Sequence, residues 1–142
     1  MTADRGAWLV FAVLLAPPAA LADTPRRSSG LWEIGVTVSG QPTPSVGRHC
    51  IDAATDDLAL TAGGGVAQKD CKELRTLPAE GGFAIESVCR LGSSTVTTSG
   101  IFNGDVHSAY SGEIEARYSP PLYGRREVKS QIQARLLGPC NP

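Results

Sequence analysis

The chain has 142 residues, enough for one domain, and a formal net charge of −1 with no block of like charges. That balance argues against a nucleic-acid partner: the basic pairs Arg26-Arg27 and Arg125-Arg126 read as solvated surface, and the sparse aromatics make no stacking platform.

The N-terminal segment reads as a signal peptide. Arg5 precedes an apolar run, Ala7 to Ala16, which Pro17-Pro18 breaks, and Ala20-Leu21-Ala22 supplies the small-x-small pattern of a signal peptidase site. Cleavage is expected after Ala22. The apolar run falls short of the ~20 residues that cross a hydrocarbon core, so a retained membrane anchor is not expected. Asp23 stands where a lipoprotein would carry cysteine. The mature chain is therefore expected in the periplasm or outside the cell, and not membrane-spanning.

Residues 23–29 read as a polar, mobile linker, and residues 30–142 as a single disulfide-stapled β domain. Trp32, Ile34, Val36 and Val38 alternate with Glu33, Gly35 and Thr37, the period of a half-buried strand. Gly40 to Pro44 makes a turn, and Val46 to Ile51 a shorter strand carrying Cys50. Asp52 can cap one or two helical turns over the alanines and leucines that follow, with Gly63-Gly64-Gly65 ending them. No Lys-Ser/Thr follows that triplet, so it reads as a loop rather than a phosphate cradle.

Between Cys71 and Cys89 two strand-like runs, Lys72 to Leu77 and Phe83 to Val88, flank a breaker cluster from Pro78 to Gly82. A hairpin folded there sets the two cysteines opposite each other, within disulfide reach. The same pairing puts Glu73 and Arg75 on the face of Ile85, a conflict that a bulge or register shift would relieve. Ser94 to Phe102 is rich in β-branched residues, and Asn103-Gly104 is the strongest hairpin signal in the chain. In the next strand Val106, Ser108, Tyr110, Gly112, Ile114, Ala116 and Tyr118 share one face. His107, Ser111, Glu113, Glu115 and Arg117 share the other. Ser119 to Gly124 reads as a loop. The last strand, Arg126 to Leu136, turns Val128, Ile132, Ala134 and Leu136 one way.

Four cysteines in an exported chain imply two disulfides, for which three connectivities exist. Hairpin geometry favours Cys71–Cys89, which leaves Cys50–Cys140. No C-x-x-C occurs and His49 beside Cys50 is the one His/Cys adjacency, so no metal and no cofactor is expected. The expected fold is all-β: an antiparallel meander of about seven strands forming a curved sheet or lipocalin-like half-barrel, with one short helix. A sandwich would need longer crossovers than these connections provide.

In order, the chain shows Gly30-Leu31-Trp32-Glu33-Ile34 after a signal peptide, then Cys50 and an acidic, alanine-rich stretch. A Cys71/Cys89 hairpin, Thr/Ser/Gly-rich strands and a late Cys140 follow. Over essentially the whole mature chain this resembles the secreted family catalogued as domain of unknown function 3617, found in Gram-negative envelopes. Two departures stand out. Members often have Met- and Thr-rich strands, whereas Met1 is the lone methionine here, and the ending is Arg135-Leu136-Leu137-Gly138-Pro139-Cys140. The resemblance implies compartment and fold but no activity.

The expected function is a non-enzymatic binding or interaction module for a small apolar ligand or an envelope partner, with Tyr110, Tyr118 and Trp32 as candidate ligand-binding residues. Small inward residues (Ser108, Gly112, Ala116, Ala134) beside Tyr110 and Tyr118 can leave a cavity. The same residues can instead pack a filled core. The alternative is a secreted hydrolase with an unrecognised active site. Against it, His49 and His107 are the only histidines and no Gly-x-Ser-x-Gly elbow occurs. Glu113 and Glu115 lie on one face of one strand, with Cβ atoms ~7 Å apart, which reads as ordinary surface charge. Cysteines at strand ends, far apart in sequence, read as staples rather than a redox pair.

Overall fold

The computed structural model describes residues 23–62 and 66–141. The expected signal peptide, residues 1–22, and the glycine triplet expected to end the helix lie outside the described residues. Seven strands follow one another: β1 (Gly30–Val38), β2 (Ser45–Ile51), β3 (Cys71–Ala79), β4 (Gly82–Leu91), β5 (Ser94–Asp105), β6 (Ala109–Leu122) and β7 (Arg125–Gly138). Between β2 and β3 lie the helix α1 (Leu58–Ala62) and a 3₁₀ turn, Gln68–Asp70. All pairings are antiparallel, and the sheet order is β2-β1-β7-β6-β5-β4-β3.

This order is a meander from β3 to β7 with the β1–β2 hairpin docked on β7. First and last strands thus pair as they would in a barrel, and the ring stays open at one seam, between β2 and β3. The connection across that seam, residues 52–70, holds α1, which buries Leu58 and Ala59 against the sheet. Asp57, not Asp52, caps the helix: its Oδ1 accepts the Leu60 N–H at 3.0 Å. Asp52 instead accepts the Ala54 N–H at 3.0 Å in a turn of its own.

The period-two readings hold along β1, β4, β6 and β7. On the concave face Trp32, Phe83, Ile85, Phe102, Tyr110, Ile114 and Ala134 are buried together. Phe83 stacks on Phe102 with centroids 4.7 Å apart, and Tyr110 meets both edge-on at 5.1 and 5.7 Å. Each buried side chain of this size contributes roughly 1.5–3 kcal/mol, so this cluster carries much of the fold. It exists because Gly112 has no Cβ. A methyl there would stand 2.3 Å from the Ile101 carbonyl oxygen and 2.5 Å from Phe102 Cδ1. Gly112→Ala is therefore expected to cost about 3 kcal/mol or more, measured as a fall in the urea midpoint, because backbone as well as ring must move.

Two local expectations change, and a third, a bulge in the β3–β4 hairpin, is met. In the β3–β4 hairpin Cys71 faces Cys89, but Glu73 then faces Val88 and Thr76 faces Ile85: a bulge shifts the register at Lys72. The shift turns Leu74 and Thr76 inward and Arg75 outward, where it pairs with Glu86 at 2.6 Å, and so removes the conflict of Glu73 and Arg75 with Ile85. Asn103-Gly104 does not make the turn. Both remain in β5, opposite Ser111 and Tyr110, and the chain reverses at Val106–Ser108. The Asp105 carboxylate accepts the His107 N–H at 2.8 Å and its carbonyl accepts the Ser108 N–H at 3.1 Å, so a side-chain-closed turn displaces the one favoured by backbone freedom alone. Finally, β6 runs on through Pro120 and Pro121 to a two-residue turn at Tyr123-Gly124, both at positive φ. Pairing with β7 is interrupted between Arg117 and Leu122, so the prolines there cost no ladder bonds to β7.

The convex face carries charges in register across strands. Arg48, Glu33 and Arg135 form one row over β2, β1 and β7, with Glu33 bound at 3.2 Å by Arg48 and at 2.7 Å by Arg135. Hydrogen bonds from Arg135 and then Arg48 hold the Glu33 carboxyl below the usual carboxylate range. A depressed folded-state pKa contributes stability above the unfolded value of about 4.3 and loses it as pH falls through the folded value. Glu33→Gln is accordingly expected to reduce stability at neutral pH and to narrow its gap to wild type in acid, as read from urea midpoints across pH.

Candidate functional site

The concave face is filled at one end and open at the other. Where the aromatic cluster sits, Gly112 and Ala134 give room to rings and the sheet is packed solid. Further along the strands the inward positions hold Thr98, Ala116 and Ser130, too small to reach across the bend. Together with Val36, Val96, Tyr118 and Val128 they line a groove of about 760 Å³ that runs up to Phe83 and Tyr110 and under α1. A half-open, mostly apolar cleft of this volume falls within the range of small-molecule sites.

One polar cluster borders it. Arg27, only 1% exposed, is gripped by Asp56 of the connection across the seam. The Asp56 carboxylate accepts the Arg27 backbone N–H at 2.9 Å and both Nε and Nη2 of its guanidinium. Nη2 also donates to Thr61 Oγ1 at 3.2 Å. Burial by itself would lower the Arg27 pKa, but hydrogen bonding and attraction from Asp56, with the adjacent Tyr110, leave it raised. The Tyr110 hydroxyl is pushed up, chiefly by burial, with Arg27 opposing. Arg27 Nη1 is buried with no hydrogen-bond partner among the described residues, and so is Ser87 Oγ, which sits on β4 opposite Thr98.

Of the candidate ligand-binding residues, Tyr110 and Tyr118 line the groove. Trp32 does not. It is fully buried in the filled end, its ring 5.9 Å from Tyr110 and its Nε1 donating to the Ser28 carbonyl at 2.8 Å. Arg27 and Asp56 escape sequence reading. Arg27 lies in the stretch read as linker, inside a basic pair read as solvated, and its partner is 29 residues away.

The residues weighed for hydrolysis are arranged for other tasks. Glu115 is bound by Arg117 and by Lys129, and that pairing holds its carboxyl low, the opposite of a proton donor at neutral pH. Glu113 accepts a weak bond from Gln131 at 3.4 Å. His107 Nδ1 lies 3.0 Å from Ser28 Oγ on the exposed surface, and the nearby Asp105 carboxylate bonds the His107 backbone rather than its ring. Both disulfides take the expected connectivity: Cys71–Cys89, Cα atoms 3.9 Å apart, and Cys50–Cys140, 5.7 Å apart.

The sequence profile of a family described as "Protein of unknown function (DUF3617)" matches residues 27–140, from the buried arginine to the last cysteine. No curated protein and no solved structure matches the chain.

Proposed function

The chain belongs to the DUF3617 family, which brings no activity with it, and from the groove we propose that it is an exported envelope binding module holding a small apolar ligand. The observation that carries the reading is the unfilled half of the concave face, lined by Val36, Val96, Ala116 and Val128. Interiors close-pack when side chains permit, so an apolar cleft left open at small residues invites an occupant. The paired cysteines are compatible with an oxidising compartment, as is the signal-like segment at residues 1–22.

Native mass spectrometry of protein recovered from its native compartment tests this directly. A co-purifying apolar molecule, or uptake of the neutral dye Nile red with a blue-shifted emission, is the expected result. Ala116→Phe, which projects a ring into the open half, is expected to abolish uptake at little cost in stability. Protein that carries nothing and leaves Nile red in water would overturn the proposal.

A further inference from the structure

We propose that one end of the sheet, the end towards which the groove opens, docks on an anionic phospholipid surface, with the β6–β7 turn as its inserting tip. The inference goes beyond the ligand reading and is tested apart from it.

Strand lengths build the tip. β5 pairs with β6 as far as Ser119, and β1 pairs with β7 from Ser130 onward, so residues 121–128 extend past both neighbouring strands. Ser94 Oγ, donating to the Pro120 carbonyl at 2.9 Å, ties the base of this hairpin to β5. At its turn Tyr123 is 96% exposed, with φ at 48°. That left-handed position favours glycine or asparagine and is strained for a bulky residue. The bare ring recovers nothing by packing, so folding supplies no reason for a tyrosine there. An amphipathic ring of this kind settles at the headgroup level of a bilayer.

Exposed cations share that end. Arg125 and Arg126 follow the turn, Arg90 precedes the β4–β5 turn, and Lys69 and Lys72 flank the start of β3, which antiparallel pairing sets at the same end. Lys69, Lys72 and Arg90 line one surface hollow, in which Asp70 is the one acid. None of these five cations enters an ion pair among the described residues. By contrast, Arg117 and Lys129 at the base of the hairpin are matched by Glu115 and Glu127. Strand-to-strand turns at the opposite end carry Glu80 and Asp105, beside His107. Such an asymmetry orients the molecule on a negative surface. Cations spread over three separate segments suit an extended plane better than a single acidic chain, and a bilayer also takes the bare ring. The groove lining reaches Leu91, Tyr118 and Val128, towards the basic end, so docking turns its open half to the bilayer.

Flotation of the oxidised mature protein tests it, with vesicles of phosphatidylcholine alone and of an equal mixture with phosphatidylglycerol. Binding to the mixed vesicles at low salt is expected, with little to phosphatidylcholine alone, and with loss at about 1 M salt, where the Debye length shrinks to about 3 Å. Each basic residue near an anionic surface contributes about a factor of five, so Arg125→Ser with Arg126→Ser is expected to weaken binding about 25-fold. Lys69→Ser with Lys72→Ser should do the same from another segment, and stands in should the arginine pair not fold. Arg48→Ser with Arg135→Ser removes equal charge from the middle of the sheet and is expected to change binding by about twofold at most. On the mixed vesicles the emission of Tyr123→Trp is expected to shift to the blue. No binding at low salt, equal binding to both vesicles, a control pair as damaging as the arginine pair, or unmoved emission from position 123 would each overturn the inference. So would retention by polyglutamate without vesicle binding, which assigns the cations to an acidic macromolecule. Nile red uptake without vesicle binding removes this step alone, and vesicle binding without uptake removes only the groove reading.

Discussion

Replacing Arg27 alone with methionine is expected to destabilise the protein by about 3–5 kcal/mol, the cost of stranding one member of a buried ion pair. Both side chains are nearly inaccessible, at 1% and 3% exposure, so solvent cannot take over the missing partner's role. The two single variants should differ in a way that identifies the cause. Arg27→Met strands a carboxylate and Asp56→Leu a guanidinium, each among buried side chains. Asp56→Leu leaves a guanidinium that cannot shed its charge, so its penalty should be at least as large and flat with pH. The combined variant should recover most of the loss. Chemical denaturation of the four proteins across pH measures all of this, and equal, additive losses at every pH would refute the account.

Removing the two disulfides one at a time should also separate cleanly. Cys50–Cys140 closes a loop of 90 residues and Cys71–Cys89 one of 18. Chain entropy assigns them ceilings of about 4.5 and about 3 kcal/mol. The cysteine-to-alanine pair at 50 and 140 is expected to lower stability more, and to release β2 and the C-terminus. The pair at 71 and 89 should loosen β3, and adds the lost burial of Cys89, which is 3% exposed. Amide exchange resolved by segment distinguishes the two, since each loss should raise exchange first in the strand that bond holds. A reversed order of stabilities would show that denatured-state structure or local packing outweighs loop closure here.

Much of the fold was legible because alternation survives wherever one face of a strand meets the core. Trp32 to Val38, Phe83 to Cys89 and Tyr110 to Tyr118 each state their facing directly. The Cys71–Cys89 pairing followed from hairpin symmetry, and the resulting clash of Glu73 and Arg75 with Ile85 was a correct signal of the bulge at Lys72. Two boundaries failed where one local preference overruled another: Asp105 closed its own turn against Asn103-Gly104, and β6 continued through prolines at a break in pairing. The site was only half visible. Small inward residues announced Ala116 and Tyr118, yet Gly112 and Ala134 belong to the filled end, because a missing side chain looks the same whether a ring or a ligand occupies the space. Arg27 could not be found at all. Nothing in a polar heptapeptide before the first strand says that one of its arginines turns inward to an aspartate beyond the second.

An open ring has two borders, and here each border strand, β2 and β3, carries one half of a covalent rivet. The rivets leave the outer edges of β2 and β3 unpaired, but without them either border strand can lift away and bare a further row of amide and carbonyl groups able to template a neighbouring chain. Self-association is thus a greater hazard for the reduced protein than for the oxidised one. A preparation kept reduced is expected to form aggregates built edge to edge more readily than the oxidised protein.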